Sequence, residues 1–219
     1  MQTGYQEDSS AFGNLIERTS KIVYPYYLGL STAASHYGLS MQQYNEIFLL
    51  TTARLQKHQL NEDRIRIVHQ SSNKFFGYQA VNMLGCNVMI SDCEKTVIDC
   101  IDHLTLAGDA KEAGNILTTA SHKFDWIKTV GYLEQIGSMS LVRRFGWFVA
   151  YYEVEIPPYI YENLIRLAGF SFEVLPSSEP RRANSTEAEN SSSHVEPWRL
   201  WLRPSQRPAR SSLRSRRYY

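Results

Sequence analysis

Apolar residues recur along this chain with two different periods. Between residues 46 and 91 they form four short runs, EIFLLTT (46–52), RIRIVHQ (64–70), FFGYQAVNM (75–83) and CNVMIS (86–91). In the second run Ile65 and Ile67 alternate with Arg64 and Arg66, which is typical of a half-exposed strand. We therefore expect four strands that are joined by short turns and paired mostly antiparallel.

From residue 94 onward the apolar period becomes helical. In the segment EKTVIDCIDHL the apolar residues form one stripe along the helix, which consists of Val97, Ile98, Ile101 and Leu104. Asp99 and Asp102 lie outside this stripe. Three further helices are predicted over 110–120, 125–136 and 139–152, the last two separated near Gly137 and Ser138. Strands first and helices afterwards predict an α+β fold, a small and mostly antiparallel sheet followed by a helical C-terminal half.

Length and charge suggest how the chain is divided. Its 219 residues suit one main domain. Residues 1–175 carry 14 Lys plus Arg against 18 Asp plus Glu, whereas residues 176–219 carry 9 Arg against 4 Glu. We expect a lead-in (1–23), a folded domain (24–175) and a disordered Arg-, Ser- and Pro-rich tail (176–219). The tail is interpreted either as an Arg-mediated contact with nucleic acid or as solvated disorder or a fusion scar.

Several classes of function lack sequence support. No segment approaches the roughly 18 apolar residues of a membrane helix, and the amino terminus does not resemble a secretory signal, so we expect a cytoplasmic protein without a membrane partner. Cys86, Cys93 and Cys100 are spaced by sevens without a C-x-x-C unit, which favours buried thiols over zinc ligands. No glycine-rich phosphate-binding motif and no nucleophile motif is present, so we expect no cofactor.

The stretch SDCEKTVIDC (91–100) admits two interpretations. Asp92, Glu94 and Lys95 have the chemistry of a metal-dependent nuclease, in which acidic oxygens hold magnesium and a lysine assists the attacking water. However, the usual nuclease spacing is absent, because Glu94 and Lys95 are adjacent. Ser91 and Glu94 match the capping box S-x-x-E before an apolar helix, so we favour a helix start.

Other residues are candidates for contact with a partner. Arg143 and Arg144 are adjacent on a helix rich in aromatic residues, and Arg64 and Arg66 lie on the polar face of a predicted strand. Each pair is a candidate for binding a protein or nucleic acid, or is simply solvated. His36 lies in a short predicted helix over 31–38, where a packed or hydrogen-bonded role is more usual than a catalytic one.

Four segments together resemble the antitoxin domain of AbiEi-type abortive-infection proteins: YYLGLSTAASHYGL (26–39), EIFLLTT (46–52), FGYQAVNMLGCNVMISDCEKTVIDCID (76–102) and AGNIL (113–117). The resemblance covers about residues 24–150. Its first motif is similar to S-x-x-A-x-x-H-x-G-L and is carried by Ser31, Ala34, Tyr37, Gly38 and Leu39. The histidine is displaced by one position to His36, and the Gly-Leu pair is displaced with it. Its second motif is S-D-x-E-K-T-x-x-D from Ser91 to Asp99, called here the 91–99 element. In the predicted 31–38 helix, Ser31 is the expected cap and Gly38 the expected stop.

The resemblance implies a type IV antitoxin that counteracts a nucleotidyltransferase-like toxin and takes part in phage defence. Family members usually also carry an amino-terminal winged helix-turn-helix that represses their own promoter. The roughly twenty residues before the resemblance are too few for such a module, so we expect a stand-alone antitoxin domain or a DNA-reading module on another chain. We expect no catalytic residues. The alternatives are a nuclease-like enzyme using Asp92, Glu94 and Lys95, and a nucleic-acid-binding interaction module.

Overall fold

A computed structural model of the chain describes residue 18 and residues 23–42, 46–54, 64–83 and 85–169. The strands are β1 (Tyr26–Leu28), β2 (Ile47–Thr51), β3 (Ile65–His69), β4 (Tyr78–Met83) and β5 (Cys86–Ser91). The helices are α1 (Leu30–His36), α2 (Cys93–Asp102), α3 (Ala110–Ser121), α4 (Trp126–Ile136), α5 (Met139–Tyr151) and α6 (Pro158–Leu167), with a 3-10 turn at Ser72–Lys74. The predicted tail and most of the predicted lead-in lie outside the described residues.

The α+β class is confirmed, because a five-stranded sheet in the first half is followed by helices. The strand order is β3-β2-β1-β5-β4. The four predicted strands are all present. The fifth, β1, was not predicted, because three residues are too few to show an alternating pattern.

The sheet is mixed rather than mostly antiparallel. Strand β1 is antiparallel to β2, and β4 is antiparallel to β5, but β2 pairs parallel with β3 and β1 with β5. The connection between β2 and β3 is about a dozen residues, long enough for the crossover that parallel neighbours require. Only β4 and β5 are joined by the short turn that was expected for all four strands.

The two faces of the sheet pack into separate apolar clusters. Along β2, Phe48 and Leu50 face the cluster that contains the helices, whereas Ile47 and Leu49 face the opposite cluster. This alternation follows from the two-residue period of a strand. The central strand β1 and its neighbour β2 are buried along their whole length, and α2 and its neighbours pack on this part of the sheet.

The predicted apolar stripes of the helices are largely confirmed. Val97, Ile98 and Ile101 of α2 are fully buried, whereas Leu104 follows the end of the helix and is only partly buried. In α3 the fully buried apolar residues are Ala113, Ile116, Leu117 and Ala120. Helices α4 and α5 are separated at Gly137, whose φ of +69° is left-handed and suits a glycine at a helix end. Helix α6 was not predicted, although Pro158 at its first position is a common start signal.

The three cysteine thiols differ in how deeply they are buried. Cys100 is buried, as predicted, whereas Cys86 and Cys93 are only partly buried. Burial, followed by the charge of Glu94, raises the pKa of the Cys93 thiol to about 11, so this thiol is protonated at neutral pH.

Within the described ranges, no helix is both long enough and apolar enough to cross a membrane.

Candidate functional site

The 91–99 element lies where β5 ends and α2 begins. Strand β5 runs through Ser91, so the helix is capped by Asp92, whose carboxylate accepts a hydrogen bond from the Lys95 backbone N–H at 2.9 Å. The Ser91 hydroxyl lies 2.7 Å from the Thr96 hydroxyl instead. The predicted helix start is therefore confirmed, but the predicted capping box at Ser91 is wrong, because that residue still belongs to the sheet.

Glu94 connects α2 to α4 rather than closing a capping box. Its carboxylate accepts a hydrogen bond from the backbone N–H of Asp125 at 3.0 Å and another from Lys128 Nζ at 2.9 Å. Burial alone would raise the pKa of Glu94, but the hydrogen bonds from Lys128 and Asp125 outweigh burial and lower it. The carboxylate is thus held in its ionised form at the junction of two helix N-termini.

Lys128 and Tyr132 complete a half-buried cluster around Asp92. Lys128 Nζ lies 3.1 Å from Asp92 Oδ2, and the Tyr132 hydroxyl donates to the same oxygen at 2.7 Å. Burial would lower the pKa of Lys128, but hydrogen bonds to Glu94 and Asp92 outweigh burial and raise it. Burial and the bond to Asp92 raise the pKa of Tyr132 to about 12. At neutral pH Glu94 is therefore ionised, Lys128 is an ammonium group and Tyr132 is a neutral phenol.

A second polar group of the 91–99 element lies wholly inside the protein. Lys95 is 0% exposed and Asp99 is 1% exposed, and Lys95 Nζ donates a hydrogen bond to Asp99 Oδ1. Lys95 Nζ also donates to the Tyr27 hydroxyl at 3.0 Å, and that hydroxyl donates to Asp99 Oδ2 at 2.9 Å. Gln70 Nε2 donates to Asp99 Oδ1 at 3.3 Å. Every charged atom of the pair therefore has a partner.

The burial of Asp99 corrects a prediction. The apolar period of α2 placed Asp99 outside the buried stripe, but the residue lies inside the core because Lys95, one turn earlier, and Tyr27, on β1, supply its partners. Burial raises the pKa of the Asp99 carboxyl, and the neighbouring Lys95 offsets only part of that rise. Burial also raises the pKa of Tyr27 well above its ordinary value.

The three residues of the nuclease hypothesis do not converge on one point. Lys95 Nζ contacts Asp99 and Tyr27, whereas the carboxylates of Asp92 and Glu94 contact Lys128. Within residues 23–42, 46–54, 64–83 and 85–169, no group of three or more His, Cys, Asp and Glu side chains is arranged to hold a metal ion. What this arrangement can do is fix α2 and α4 against the sheet by charge pairing.

The motif residues of α1 have different environments. Gly29 precedes the helix and Ser31 lies in its first turn, so the prediction that Ser31 caps the helix is wrong. Ser31 is fully buried, and its hydroxyl makes no hydrogen bond with another described residue. His36 is exposed at the helix end with its ring edge-on to Tyr37. Gly38, with φ at +65°, ends the helix as predicted.

Two of the four candidate interaction arginines are engaged in the fold. Arg143 Nε donates to the Ala168 carbonyl at 2.9 Å, and one Arg144 amino group donates to the Ile101 carbonyl at 3.0 Å. Carbonyls at the end of a helix lack partners within that helix, so the two arginines stabilise the C-terminal ends of α6 and α2.

The other two arginines lie on the surface at one edge of the sheet. Arg66 is exposed on β3 and binds Glu46 at 2.9 Å, and Arg64 is exposed directly before that strand. A role in binding a partner stays a prediction for all four arginines.

Sequence reasoning missed Lys128 and Tyr132, which lie one turn apart on α4. Neither residue belongs to a motif, and the only signal was a lysine and a tyrosine at i and i+4 in a predicted helix. Their partners are 36 and 40 positions earlier in the chain, at Asp92. Only the packing of α4 against α2 brings them together.

No family model matches this chain, and no curated protein matches it either. The resemblance of four segments to AbiEi-type antitoxins therefore stays a prediction from the sequence.

Proposed function

We propose that this protein is an antitoxin of a type IV toxin–antitoxin system, acting in the cytoplasm against a nucleotidyltransferase-like toxin by recognition rather than by catalysis. The proposal rests on the resemblance of residues 26–39, 46–52, 76–102 and 113–117 to the AbiEi-type domain. These segments include β1, α1, β2, β4, β5, α2 and part of α3. Since β1 lies between β2 and β5, and α2 packs against both α1 and α3, segments that resemble one domain form one continuous body.

One observation in the structure supports recognition rather than catalysis, namely that the charged side chains of the 91–99 element pair inside the protein. Lys95 and Asp99 bind each other in the core, and Asp92 and Glu94 bind Lys128 of α4. A catalytic group needs access to its substrate, whereas these side chains hold helices in place. This favours a domain whose function resides in its folded surface. A DNA contact through exposed arginines such as Arg64 and Arg66 is compatible with that role.

The test is growth rescue by the full chain. We would co-express it with the gene that lies beside its own in the genome, which the proposal expects to encode a nucleotidyltransferase-like toxin, and we expect growth to be restored. Ile98→Asp is the unfolding control, because a charge buried without a partner costs several kcal/mol, and this variant should neither fold nor protect. Circular dichroism of each variant separates loss of fold from loss of recognition.

A second pair of variants tests where recognition lies. Arg64→Glu with Arg66→Glu reverses two exposed charges and should leave the fold intact, so loss of protection would assign recognition to this edge of the sheet. Thr119→Lys, an exposed change on α3, is the matched control and should protect fully. If the folded wild-type chain fails to protect against the adjacent toxin, the proposed function is wrong. Magnesium-dependent nucleic-acid cleavage that disappears in Asp92→Asn would also refute it, in favour of an enzyme.

A further inference from the structure

The two edge strands of the sheet differ in how they are protected against pairing. Strand β3 carries Arg66 and His69 and follows Arg64, whereas β4, YQAVNM from Tyr78 to Met83, contains no charged residue and no proline. Charges and prolines are the usual means by which proteins prevent an edge strand from pairing with another chain. Strand β4 lacks both. In the part of the chain that the structure describes, no strand lies on its outer side.

The register of β4 identifies the backbone groups on that outer side. Tyr78 pairs with Ser91, and Gly77 and Asp92 continue the same register, with the Asp92 N–H donating to the Gly77 carbonyl at 2.9 Å. Hydrogen-bonded pairs alternate along an antiparallel ladder, so every second residue from Gly77 turns its N–H and C=O toward β5. The residues between them turn these groups toward the open edge. They are Tyr78, Ala80 and Asn82.

Both ends of this edge are fixed by side-chain contacts. The Tyr78 ring stacks on the Tyr27 ring with centroids 5.2 Å apart. At the other end, Asn82 Nδ2 donates to Asn87 Oδ1 at 3.3 Å, and Asn82 Oδ1 accepts from the Gly85 backbone N–H at 3.2 Å. The strand is therefore held in an extended conformation before any partner arrives, which lowers the entropy cost of pairing.

We propose that β4 pairs antiparallel with β4 of a second copy of this chain, about a twofold axis beside Ala80. The outward groups are centred on Ala80, so Ala80 would face the second copy's Ala80, and Tyr78 would face the second copy's Asn82. Three such pairs give about six main-chain hydrogen bonds, two for each pair. This register is self-complementary, as a twofold interface requires.

Three features of β4 suit a second copy as the occupant. Ala80 is exposed and has a small side chain, so two copies meet at the axis without a clash. The strand has no charge to repel its own copy. Its length of six residues is enough for all three pairs. An edge contact of this size belongs to the weak class of interfaces, so we expect dimerisation to require a high chain concentration.

Analytical ultracentrifugation of the full chain tests this. The chain has a mass of 25.2 kDa, and we expect the average mass to rise toward twice that value as concentration increases. Ala80→Lys places two like charges opposite each other across the axis and should weaken dimerisation at least tenfold. Thr119→Lys adds the same charge at an exposed position of α3 and should leave dimerisation unchanged.

A charge-swap experiment separates pairing from misfolding. Ala80→Glu alone should be monomeric, and an equimolar mixture of Ala80→Lys and Ala80→Glu should recover the dimer, because opposite charges then face each other. A wild-type chain that stays monomeric at several hundred micromolar would overturn the proposal. So would a dimer that persists in Ala80→Lys, or a mixture that fails to recover it. These outcomes concern mass alone and are independent of growth rescue.

Discussion

Burying the ammonium group of Lys95 costs several kcal/mol unless the lost hydration is replaced. Asp99 and the Tyr27 hydroxyl replace it, and the aromatic ring of Tyr27, 5.3 Å from Lys95 Nζ, adds a cation–π contact. The pair therefore connects α2 to β1 through groups that have no access to water. At the residue scale, removing either Lys95 or Asp99 alone should therefore lower the free energy of unfolding, because the other residue is left buried without its partner.

A double-mutant cycle measures the interaction free energy between Lys95 and Asp99. Lys95→Met and Asp99→Leu should each destabilise the protein by about 3–5 kcal/mol, because each leaves a buried charge without its partner. The double variant should lose much less than the sum, because no buried charge remains. Urea unfolding followed by circular dichroism gives the three free energies. Additive losses would mean that the two side chains do not act as a pair.

The Lys95→Met variant should also acquire a specific pH dependence. The pKa of Asp99 is already raised by burial, and removal of Lys95 raises it further. A carboxyl with a raised folded-state pKa is stabilising while protonated, so the contribution of Asp99 in this variant should be complete below the ordinary pKa of 3.8 and should be lost as pH rises through the folded-state value. Unfolding curves at a series of pH values check the sign. The Asp99→Leu variant, which lacks the carboxyl, should not show this loss.

The contribution of Glu94 to stability should depend on pH in the opposite direction. Its pKa is lowered from 4.5, since the hydrogen bonds from Lys128 and the Asp125 N–H outweigh burial. Its contribution, about 1–3 kcal/mol for hydrogen bonds to a charged group, is complete above 4.5 and is lost as pH falls through the lower folded-state value. The stability difference between wild type and Glu94→Gln should therefore shrink on acidification. Glu155→Gln, at an exposed position, should show little difference at any pH.

At the element scale, periodicity predicted the four helices from α2 to α5, because each buries one continuous stripe. It failed where burial depends on distant partners. The pattern predicts that Asp99 lies outside the buried stripe of α2, yet it is buried because Tyr27, 72 positions earlier, donates a hydrogen bond to it. Likewise the parallel pairing of β2 with β3 depends on the path of the connection between them, which a strand's own pattern does not encode.

Close contact between α3 and α5 gives an element-scale prediction. A Cβ added at Gly114 of α3 would lie 2.0 Å from the Tyr152 ring, whereas one added at Gly131 of α4 would meet nothing within 4 Å. Gly131→Ala should stabilise the protein by about 0.5–1 kcal/mol through helix propensity. Gly114→Ala should be less stable than Gly131→Ala by about 1–3 kcal/mol, because Tyr152 must move.

Thermal unfolding of the two glycine variants provides the comparison. In a Tyr152→Ala background the penalty at Gly114 should disappear, since the ring that blocks the new methyl group is gone. Equal stability of Gly114→Ala and Gly131→Ala in the wild-type background would contradict the close approach of the two helices.

At the scale of the whole molecule, α6 completes the core. Ile160, Leu164 and Ile165 are buried against α4 and α5. Two further contacts hold the helix: Arg143 donates to the carbonyl of Ala168, and Arg166 lies 3.5 Å from Glu134. Burial of each aliphatic side chain contributes about 1.5–3 kcal/mol relative to leaving it exposed, so we expect α6 to belong to the cooperative core.

Truncation distinguishes this helix from the segment that follows it. A chain that ends at residue 175 should retain the cooperative melting of the full chain and, under the proposed function, should protect as the full chain does, because it keeps α6, and a Ser-, Pro- and Arg-rich segment has little apolar area to bury. A chain that ends at residue 156 should lose both, since the apolar face of α4 and α5 is then exposed to water. Melting followed by circular dichroism and growth rescue should agree for each chain. Cooperative melting of the shorter chain at the wild-type temperature would show that α6 is not part of the stable core, and loss of melting in the longer one would place a stabilising contact beyond residue 175.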